Sequence, residues 1–314
     1  MQSNGYSRIV LIILFMVSIT ISRVYAENTP RIAVVMSHNA LPHKEVLSGF
    51  QSYFNEQGIQ VNFDVYLVTD DVSQAEKTIQ KIKKEEVSLI FTLGVASTEV
   101  AVNKIDDIPI VASLILRKAQ LEKAKNVTGV TLEFPIETQF SLLKQVLPEA
   151  RRIGVIYNPK ENYEKITLAE NVSKKMGLTL YAQEVNNPKD LPSALKSIAK
   201  NSDVLWGISD SLVLNPQTAK QILLFSFRNC IPFCGLTPSW VEAGALYSLC
   251  WDYRDIGMHC GEMALKILQG NKPRSLPIAS PRKVTYVLNL KTAKEMKIKI
   301  SEELINNAHQ VFKE

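Results

Sequence analysis

Short runs of apolar and largely β-branched residues recur along the chain, separated by stretches in which polar residues are more frequent. Continuous apolar runs of this length are typical of parallel strands that are covered on both faces. The predicted strands are Arg31–Met36, Val61–Val68, Ser88–Leu93, Pro109–Ala112, Arg152–Tyr157, Leu178–Val185, Asp203–Gly207, Ile231–Gly235, Ala245–Leu249 and Val284–Leu290. Asn126–Thr131 is predicted as an extended segment that crosses between lobes.

Between these runs, apolar residues recur at intervals of three and four, which predicts amphipathic helices. Breaker residues mark the ends of several of them, such as Gly58, Pro148 and Gly270. The predicted helices are Pro42–Gln57, Ser73–Glu86, Ser97–Asn103, Pro135–Leu147, Glu161–Met176, Leu191–Lys200, Pro216–Asn229, Asp255–Gln269, Lys291–Met296 and Ser301–His309.

Strands and helices therefore alternate in two successive runs, which predicts an α/β protein with two similar, doubly wound parallel-sheet lobes. Ligands of open α/β sheets bind beyond the carboxyl ends of the strands, and small-molecule sites favour domain interfaces. Both rules predict a ligand site in a cleft between the two lobes.

The first 26 residues have the order of an export signal. A weakly basic leader precedes the apolar run Ile9–Ile21, and small side chains follow at Val24 and Ala26. The apolar run is shorter than the roughly 20 residues that cross a bilayer, which favours cleavage after Ala26 over an uncleaved signal anchor. No Cys follows the run, so a lipoprotein is not expected. The sequence thus predicts a periplasmic protein, which disfavours the use of ATP or NAD.

Composition narrows the class of protein further. A hydrophobic content of 46% suffices for packed cores, and the length exceeds the roughly 100–200 residues of one domain. The net charge of +5 is slight and the Lys residues are spread over helix faces, so nucleic acid is not an expected partner. Four cysteines, Cys230, Cys234, Cys250 and Cys260, are interpreted as small buried thiols, with one disulfide as the alternative.

Motifs of catalysis are absent from the sequence. The turn after the first strand, Ser37–Pro42, lacks the G-x-G-x-x-G of nucleotide-binding oxidoreductases, and no P-loop, H-E-x-x-H or G-x-S-x-G occurs. No cofactor and no metal are expected. Ser209 and Ser211 are the nearest candidates for a nucleophile, but no motif ties a His to them, so a hydrolase stays only an alternative.

Ordered motifs run through most of the chain. They are Asn126–Val130, Leu147–Pro148, Arg152–Glu161, Asp203–Trp206 with Asp210, Ile231–Pro232, Glu242–Leu246, Trp251–Tyr253 with Gly257, Ile267–Gly270, Leu276–Pro277 and Leu288–Ala293. In this combination the chain resembles the ABC-transporter substrate-binding protein family that includes the tryptophan- and tyrosine-binding proteins. The resemblance implies the fold of type I periplasmic binding proteins.

The resemblance also implies how the chain is divided. Residues 27–132 and 250–273 would form an N-terminal lobe, and residues 133–249 and 274–314 a C-terminal lobe. Three hinge crossings are expected, near Val130–Glu133, Ser248–Asp252 and Pro273–Arg282. Small backbone changes at such hinges would let the lobes close on a ligand.

Carried over from the resemblance, and combined with the chemistry of a zwitterionic ligand, the loops supply a predicted site. Ser97 and the amides that follow Gly94 suit a carboxylate, and Asp210 or Glu161 suits an ammonium group. Aromatic stacking would come from Trp240, Trp206 or Tyr157. The predicted ligand-binding residues are His38, Gly94, Val95, Ser97, Tyr157, Asn158, Glu161, Asp210, Ser211, Thr237 and Trp240.

Several of these residues have a structural interpretation as well. Trp206 lies on an apolar strand and is expected in the core, Asp210 is equally suited to cap the following helix, and His38 to lie on the surface. The family pattern also changes at Val95, where a Thr is usual, and at Tyr163–Glu164, where Asn-Ser is usual. These departures bear on the aromatic amino acid ligand and leave the binding role unaffected.

The function that these observations predict is capture of a small molecule, aromatic or otherwise amino-acid-like, between two lobes. Delivery to an ABC importer through a permease in the inner membrane follows from the resemblance, as does a monomeric state. The alternative is a ligand-sensing periplasmic module for a membrane receptor kinase. No feature of the sequence separates transport from sensing.

Overall fold

The computed structural model describes residues 29–68, 72–122 and 124–313. The predicted signal segment and its cleavage position after Ala26 lie outside the described residues. The twelve strands are β1 (Arg31–Met36), β2 (Asn62–Leu67), β3 (Leu89–Leu93), β4 (Ile110–Ile115), β5 (Val127–Thr131), β6 (Arg152–Tyr157), β7 (Thr179–Glu184), β8 (Val204–Trp206), β9 (Phe233–Cys234), β10 (Tyr247–Trp251), β11 (Val284–Asn289) and β12 (Gln310–Phe312), counted over this part of the chain.

The same residues form eleven α-helices, which alternate with most of the strands. They are α1 (Leu41–Glu56), α2 (Val72–Lys84), α3 (Val95–Lys104), α4 (Ile136–Val146), α5 (Pro159–Lys175), α6 (Leu191–Asn201), α7 (Pro216–Asn229), α8 (Pro238–Glu242), α9 (Tyr253–Leu268), α10 (Leu290–Glu295) and α11 (Glu302–Asn307). Most ends lie within two residues of the predicted ones.

The chain divides into two compact units. The first comprises the residues up to Leu114 together with Ala119–Gly129 and Gly257–Pro277, and the second comprises Ile115–Lys118, Val130–Ile256 and the residues from Ile278 onward. The predicted division into residues 27–132 with 250–273 and 133–249 with 274–314 stays a prediction. The hinge role of the connecting segments stays a prediction.

The first unit contains a five-stranded sheet in the order β2-β1-β3-β4-β5, and β1 pairs in parallel with both β2 and β3. The central strands are buried along almost their whole length, as their continuous apolar sequences predict, whereas the edge strand β2 is only partly covered. Phe50 of α1 stacks on Phe91 of β3 with 3.9 Å between ring centroids. Gly257 of α9 permits a close approach to α1, since a Cβ there would lie 2.0 Å from Val46 O.

The second unit contains a seven-stranded sheet in the order β12-β11-β10-β9-β8-β6-β7. Strand β11 runs antiparallel to β10, so this sheet is mixed and the expectation of a purely parallel sheet is corrected. The predicted α/β class with two sheet-containing lobes is confirmed. Large buried side chains, among them Phe140, Trp206 and Tyr247, form the core on one face of this sheet.

Two short elements of the second unit were not predicted. Ser301–His309 was expected as one helix, but α11 ends at Asn307 and the chain continues as β12, which pairs in parallel with β11. The stretch Thr237–Trp240 was expected as a loop, and it contains the start of α8, with Pro238 at its first turn. Both elements are short enough for tertiary pairing and packing to decide them.

No disulfide joins any of the four cysteines, so the disulfide alternative is not formed. Cys234, Cys250 and Cys260 are buried, as expected, whereas Cys230 is exposed at the end of α7. The described residues contain no cluster of three or more side chains suited to a metal ion. Within those same ranges, no helix combines the length and apolar character that a membrane span requires.

Candidate ligand-binding surfaces at the carboxyl ends of the sheets

In the first unit, the loops that follow β1 and β3 meet beside the end of β4. Ser37 N donates to Leu93 O at 3.0 Å, and Gly94 N donates to Ser113 O at 2.9 Å. Gly94 has a φ of 103°, and a Cβ there would lie 2.7 Å from Ser37 Oγ. Glycine is therefore the residue that this turn accommodates, and the turn opens directly into α3.

Ser97 is fully buried in the first turn of α3, and its hydroxyl bonds within the unit. It donates to Leu93 O at 2.9 Å and to Gly94 O at 3.0 Å, and it accepts a hydrogen bond from Ser37 Oγ at 3.1 Å. In this geometry the one proton of the Ser97 hydroxyl is used by backbone carbonyls, and its role as a donor to a ligand stays a prediction. Val95 is half-buried at the first position of α3, where its contribution to a ligand stays a prediction.

Two histidines lie beside this loop, and only His38 was among the predicted ligand residues. His38 is exposed, and its ring packs edge-to-face on the ring of His43 with 5.6 Å between centroids. His43 is buried on α1, and neither of its ring nitrogens has a hydrogen-bond partner among the described residues. Burial lowers the pKa of His43 and the neighbouring His38 lowers it further, so the neutral imidazole is favoured.

In the second unit, Asp210 lies in the loop that follows β8 and is 3% exposed. Its carboxylate accepts hydrogen bonds from Asn158 N at 2.7 Å, Asn162 Nδ2 at 2.9 Å, Leu212 N at 3.0 Å and Val213 N at 2.9 Å. A carboxylate has about four lone-pair positions, so the protein itself occupies them. These bonds are the ones that the structural interpretation of Asp210 expects, and its role as a partner for a ligand ammonium group stays a prediction.

The other predicted residues of the second unit also bond to one another. Ser211 Oγ donates to Glu161 Oε1, Ser211 N donates to Glu161 Oε2 at 3.2 Å, and the Asn158 side chain caps α5. Tyr157 is buried and its hydroxyl donates to Glu184 Oε1 at 2.9 Å. Burial, together with that bond, raises the pKa of Tyr157 to about 12. These side chains hold the loops at the ends of β6 and β8.

The predicted stacking residues occupy core and near-core positions. Trp206 is buried as expected, its Nε1 donates to Gln139 Oε1 at 2.9 Å, and its ring lies edge-to-face on Phe140. Trp240 is half-buried on α8 and packs edge-to-face on the core residue Phe233, with 5.6 Å between centroids. Neither indole lines the cavity that the same sheet end contains.

A cavity of about 240 Å³ lies within the second unit, against the residues that follow β5, β8 and β9. Its volume suits a small metabolite, because pockets for drug-sized ligands are roughly 300–1,000 Å³. The lining includes Leu116, Leu132, Glu133, Phe134, Gln139, Lys165, Ser209, Cys234, Thr237, Leu249 and Trp251. Of the predicted ligand-binding residues, only Thr237 is part of it.

The aromatic part of this cavity is a pair of parallel rings. Phe134 and Trp251 lie with 5.8 Å between ring centroids and 12° between ring planes. The indole Nε1 of Trp251 donates to Leu132 O at 2.8 Å, which fixes the orientation of its ring. A flat apolar group of a ligand can stack on a surface of this kind.

The charged part of the cavity is an ion pair. Lys165 Nζ lies 2.5 Å from Glu133 Oε1, and both side chains are mostly covered. The two opposite charges at one cavity wall match the two charges of a zwitterion, in which a carboxylate and an ammonium group are a few ångströms apart. Aromatic surface and paired charges therefore occur together in a single cavity.

Sequence reasoning did not identify Phe134, Glu133, Lys165 and Trp251 as residues that line a cavity. Trp251 was named within a family motif and Glu133 within a predicted crossing, but both segments were interpreted as hinges. The available signal was an aromatic residue beside an acid, Glu133-Phe134, one residue after the predicted extended segment Asn126–Thr131. Lys165 carries no such signal, since it is one of many Lys residues on helices.

Solved structures with the same architecture identify the fold. The ligand-free, open structure of a substrate binding protein with adhesive properties from Clostridium difficile superposes with a TM-score of 0.76 at 23% identity, covering 91% of this chain and 100% of that one. An ABC domain in complex with L-Trp from Streptococcus pneumonia gives a TM-score of 0.61 at 22% identity, with coverage of 91% and 100%. The chain thus has the fold of type I periplasmic binding proteins.

Sequence comparison assigns the family. The model of the ABC transporter substrate binding protein family matches residues 31–312, and the chain belongs to this family. The tyrosine-binding protein of Clostridioides difficile (strain R20291) is 24% identical over 250 residues, which are 77% of this chain and 72% of that protein. An uncharacterized protein of Rickettsia prowazekii (strain Madrid E) is 26% identical over 296 residues, with coverage of 92% and 93%. The family is one of binding proteins rather than of enzymes.

Proposed function

We propose that this protein is an extracytoplasmic solute-binding protein that captures a small, amino-acid-like molecule with an apolar or aromatic side group. In this proposal it delivers the molecule to an ABC importer through a permease in the inner membrane, and it works as a monomer. Membership of the substrate-binding family supports the binding role. The names of two relatives, one tyrosine-binding and one solved with L-Trp, support the ligand class.

The observation that carries the proposal is the cavity of the second unit. The parallel rings of Phe134 and Trp251 would receive the flat side group, and burial of that group against them supplies affinity. Glu133 would bind the ammonium group of the ligand, and Lys165 would bind its carboxylate. Each side chain would exchange part of its present ion pair with the other for a contact with the ligand. Exchange of one ion pair for another leaves no buried charge unpaired.

The hydrolase alternative has little support in this geometry. Ser209 lines the cavity, but none of the described lining residues is a His, and the hydroxyl of Ser211 donates to Glu161. A nucleophilic serine needs a base within hydrogen-bond reach. Closure of the two lobes on the ligand, and the choice between transport and sensing, stay predictions.

Binding of candidate ligands to the purified mature protein tests the proposal. We expect L-Trp, L-Tyr or a related aromatic metabolite to raise the melting temperature. At a concentration several hundred times its dissociation constant, the ligand should increase the free energy of unfolding by about 3–4 kcal/mol. Trp251→Ala should weaken that ligand by about 10- to 100-fold in isothermal titration calorimetry, because an aromatic anchor in a cavity is removed.

Trp240→Ala is the matched control, since Trp240 packs on Phe233 and does not line the cavity. It should leave the affinity within about twofold of the unchanged protein. Equal losses for the two variants, or no thermal shift with any aromatic or amino-acid-like compound, would contradict the proposed site.

A further inference from the structure

A groove on the outer side of the second unit lies apart from the proposed ligand cavity. It runs between helices α6 and α7 and has a volume of about 610 Å³. Both helices pack into the core through residues such as Ile198 and Ile222, and residues of both helices line the groove beside these contacts. The proposed solute-binding function assigns no role to this surface.

The floor of the groove is apolar. Leu195 of α6 and Leu224 and Phe225 of α7 line it; Leu195 is buried, Phe225 is half-buried and Leu224 is 41% exposed. Apolar side chains left partly exposed at a concave surface, here Leu224 and Phe225, are typical of sites that bind a helix or peptide, because a partner there removes them from water.

The rim of the groove is basic. Lys196, Lys220 and Arg228 line it, and none of them forms an ion pair with another described residue. Neither α6 nor α7 contains an Asp or a Glu. The surface thus offers three unpaired cations around an apolar floor, and an acidic partner would complement it.

We propose that this groove binds an acidic amphipathic helix of a partner protein. The partner's apolar stripe would cover Leu224 and Phe225, and its carboxylates would pair with the cations on the rim. Lys220 and Arg228 are eight residues apart on α7, about 12 Å along the helix axis, so the matching acids are seven or eight residues apart. The concave shape favours a helix over a lipid surface, which contacts protruding side chains.

Designed peptides test this proposal on the full mature protein. The probe is a fluorescein-labelled helical peptide of about 16 residues with a Leu stripe flanked by Glu residues eight positions apart, compared with the same peptide in which Lys replaces Glu. We expect fluorescence anisotropy to show binding of the Glu peptide only, and hydrogen exchange to show protection confined to α6 and α7.

Charge reversal supplies the decisive comparison. Lys220→Glu combined with Arg228→Glu should weaken the Glu peptide by about tenfold or more and create binding of the Lys peptide. Lys200→Glu is the control, since Lys200 is exposed on α6 but does not line the groove. Melting temperatures verify that all variants fold.

Three results would overturn the proposal. The first is no binding of the Glu peptide at about 1 mM, and the second is an equal effect of Lys200→Glu. In the third, neither peptide binds, but the protein binds phosphatidylglycerol vesicles and the double variant does not. That result would assign the basic rim to a membrane. None of these results depends on the identity of the solute, so they are separable from failure of the proposed function.

Discussion

The two sheets present different chemistry at their carboxyl ends. In the first unit, the loop at Gly94 is closely packed, and its hydroxyls and amides bond to neighbouring backbone, as Ser97 does. In the second unit, the corresponding end contains a cavity lined by the rings of Phe134 and Trp251 and by the ion pair of Glu133 with Lys165. Similar topology therefore does not imply similar sites, because the fold places the loops and the side chains determine what they bind.

The difference is also visible in how polar groups are satisfied. Asp210 of the second unit has four hydrogen bonds, whereas His43 of the first unit has none for either ring nitrogen among the described residues. Buried polar groups that are fully bonded stabilise the loop that holds them, and those without partners reduce stability. Stability measurements on the two units can therefore test the comparison.

The largest effect is expected for Asp210→Ala. The change leaves the amide donors of Asn158, Asn162, Leu212 and Val213 without their acceptor, which should lower the free energy of unfolding by about 3–5 kcal/mol. Urea unfolding followed by circular dichroism measures the loss. Asp190→Ala is the control, since Asp190 is exposed and makes no side-chain capping bond. A loss below about 1 kcal/mol for Asp210→Ala would show that these bonds contribute little to stability and would favour the ligand role of Asp210.

Gly94→Ala should have the next largest effect, in the first unit. The alanine would have to adopt a φ of 103°, and its Cβ would approach Ser37 Oγ to 2.7 Å. We therefore expect a loss of about 2–3 kcal/mol in the free energy of unfolding. Gly58→Ala is the matched control, because Gly58 also has a positive φ but no atom lies within 4 Å of the position that a Cβ would occupy. It should cost about 1 kcal/mol. If both variants lose the same free energy of unfolding, the close packing of the Gly94 loop is not the reason that position 94 requires glycine.

The smallest effect concerns the pH dependence conferred by His43. Burial lowers the pKa of this imidazole in the folded state, so the unfolded state binds a proton more readily once the pH falls below the ordinary value of 6.5. Stability is therefore lost as the pH falls through that range, and this contribution is absent above it. His43→Gln should show a smaller loss of stability between about pH 7 and about pH 5 than the unchanged protein.

His38→Gln is the control for this titration, because His38 is exposed and its replacement keeps His43 in place. We expect its pH profile to retain most of the acid destabilisation, apart from the small part that the charge of His38 itself contributes. Denaturation midpoints at each pH provide the measurement. A profile of His43→Gln that coincides with that of the unchanged protein would mean that this imidazole does not titrate differently on folding.

Much of the fold could be predicted from the sequence, and less of the site. Strands such as β1 and β3 are buried on both faces, so their apolar runs identify them locally. The element β12 could not be identified in this way, because its three residues become a strand only by pairing with β11. Trp206 was correctly expected in the core, since it ends an apolar strand.

The site depended on contacts that no local pattern records. Asp210 and Ser97 have side chains suited to a zwitterion, but folding joins each to neighbours that use its hydrogen-bonding capacity. Phe134 and Trp251 are 117 positions apart in the chain and stack only in the folded second unit.

The sequence by itself determined the alternation of strands and helices, the α/β class and the family, because periodicity and ordered motifs are properties of the chain. Only the tertiary structure decided which polar side chains are already bonded and which rings line a cavity. The physical reason is that a ligand binds to groups left available after folding, and availability depends on neighbours that are distant in sequence.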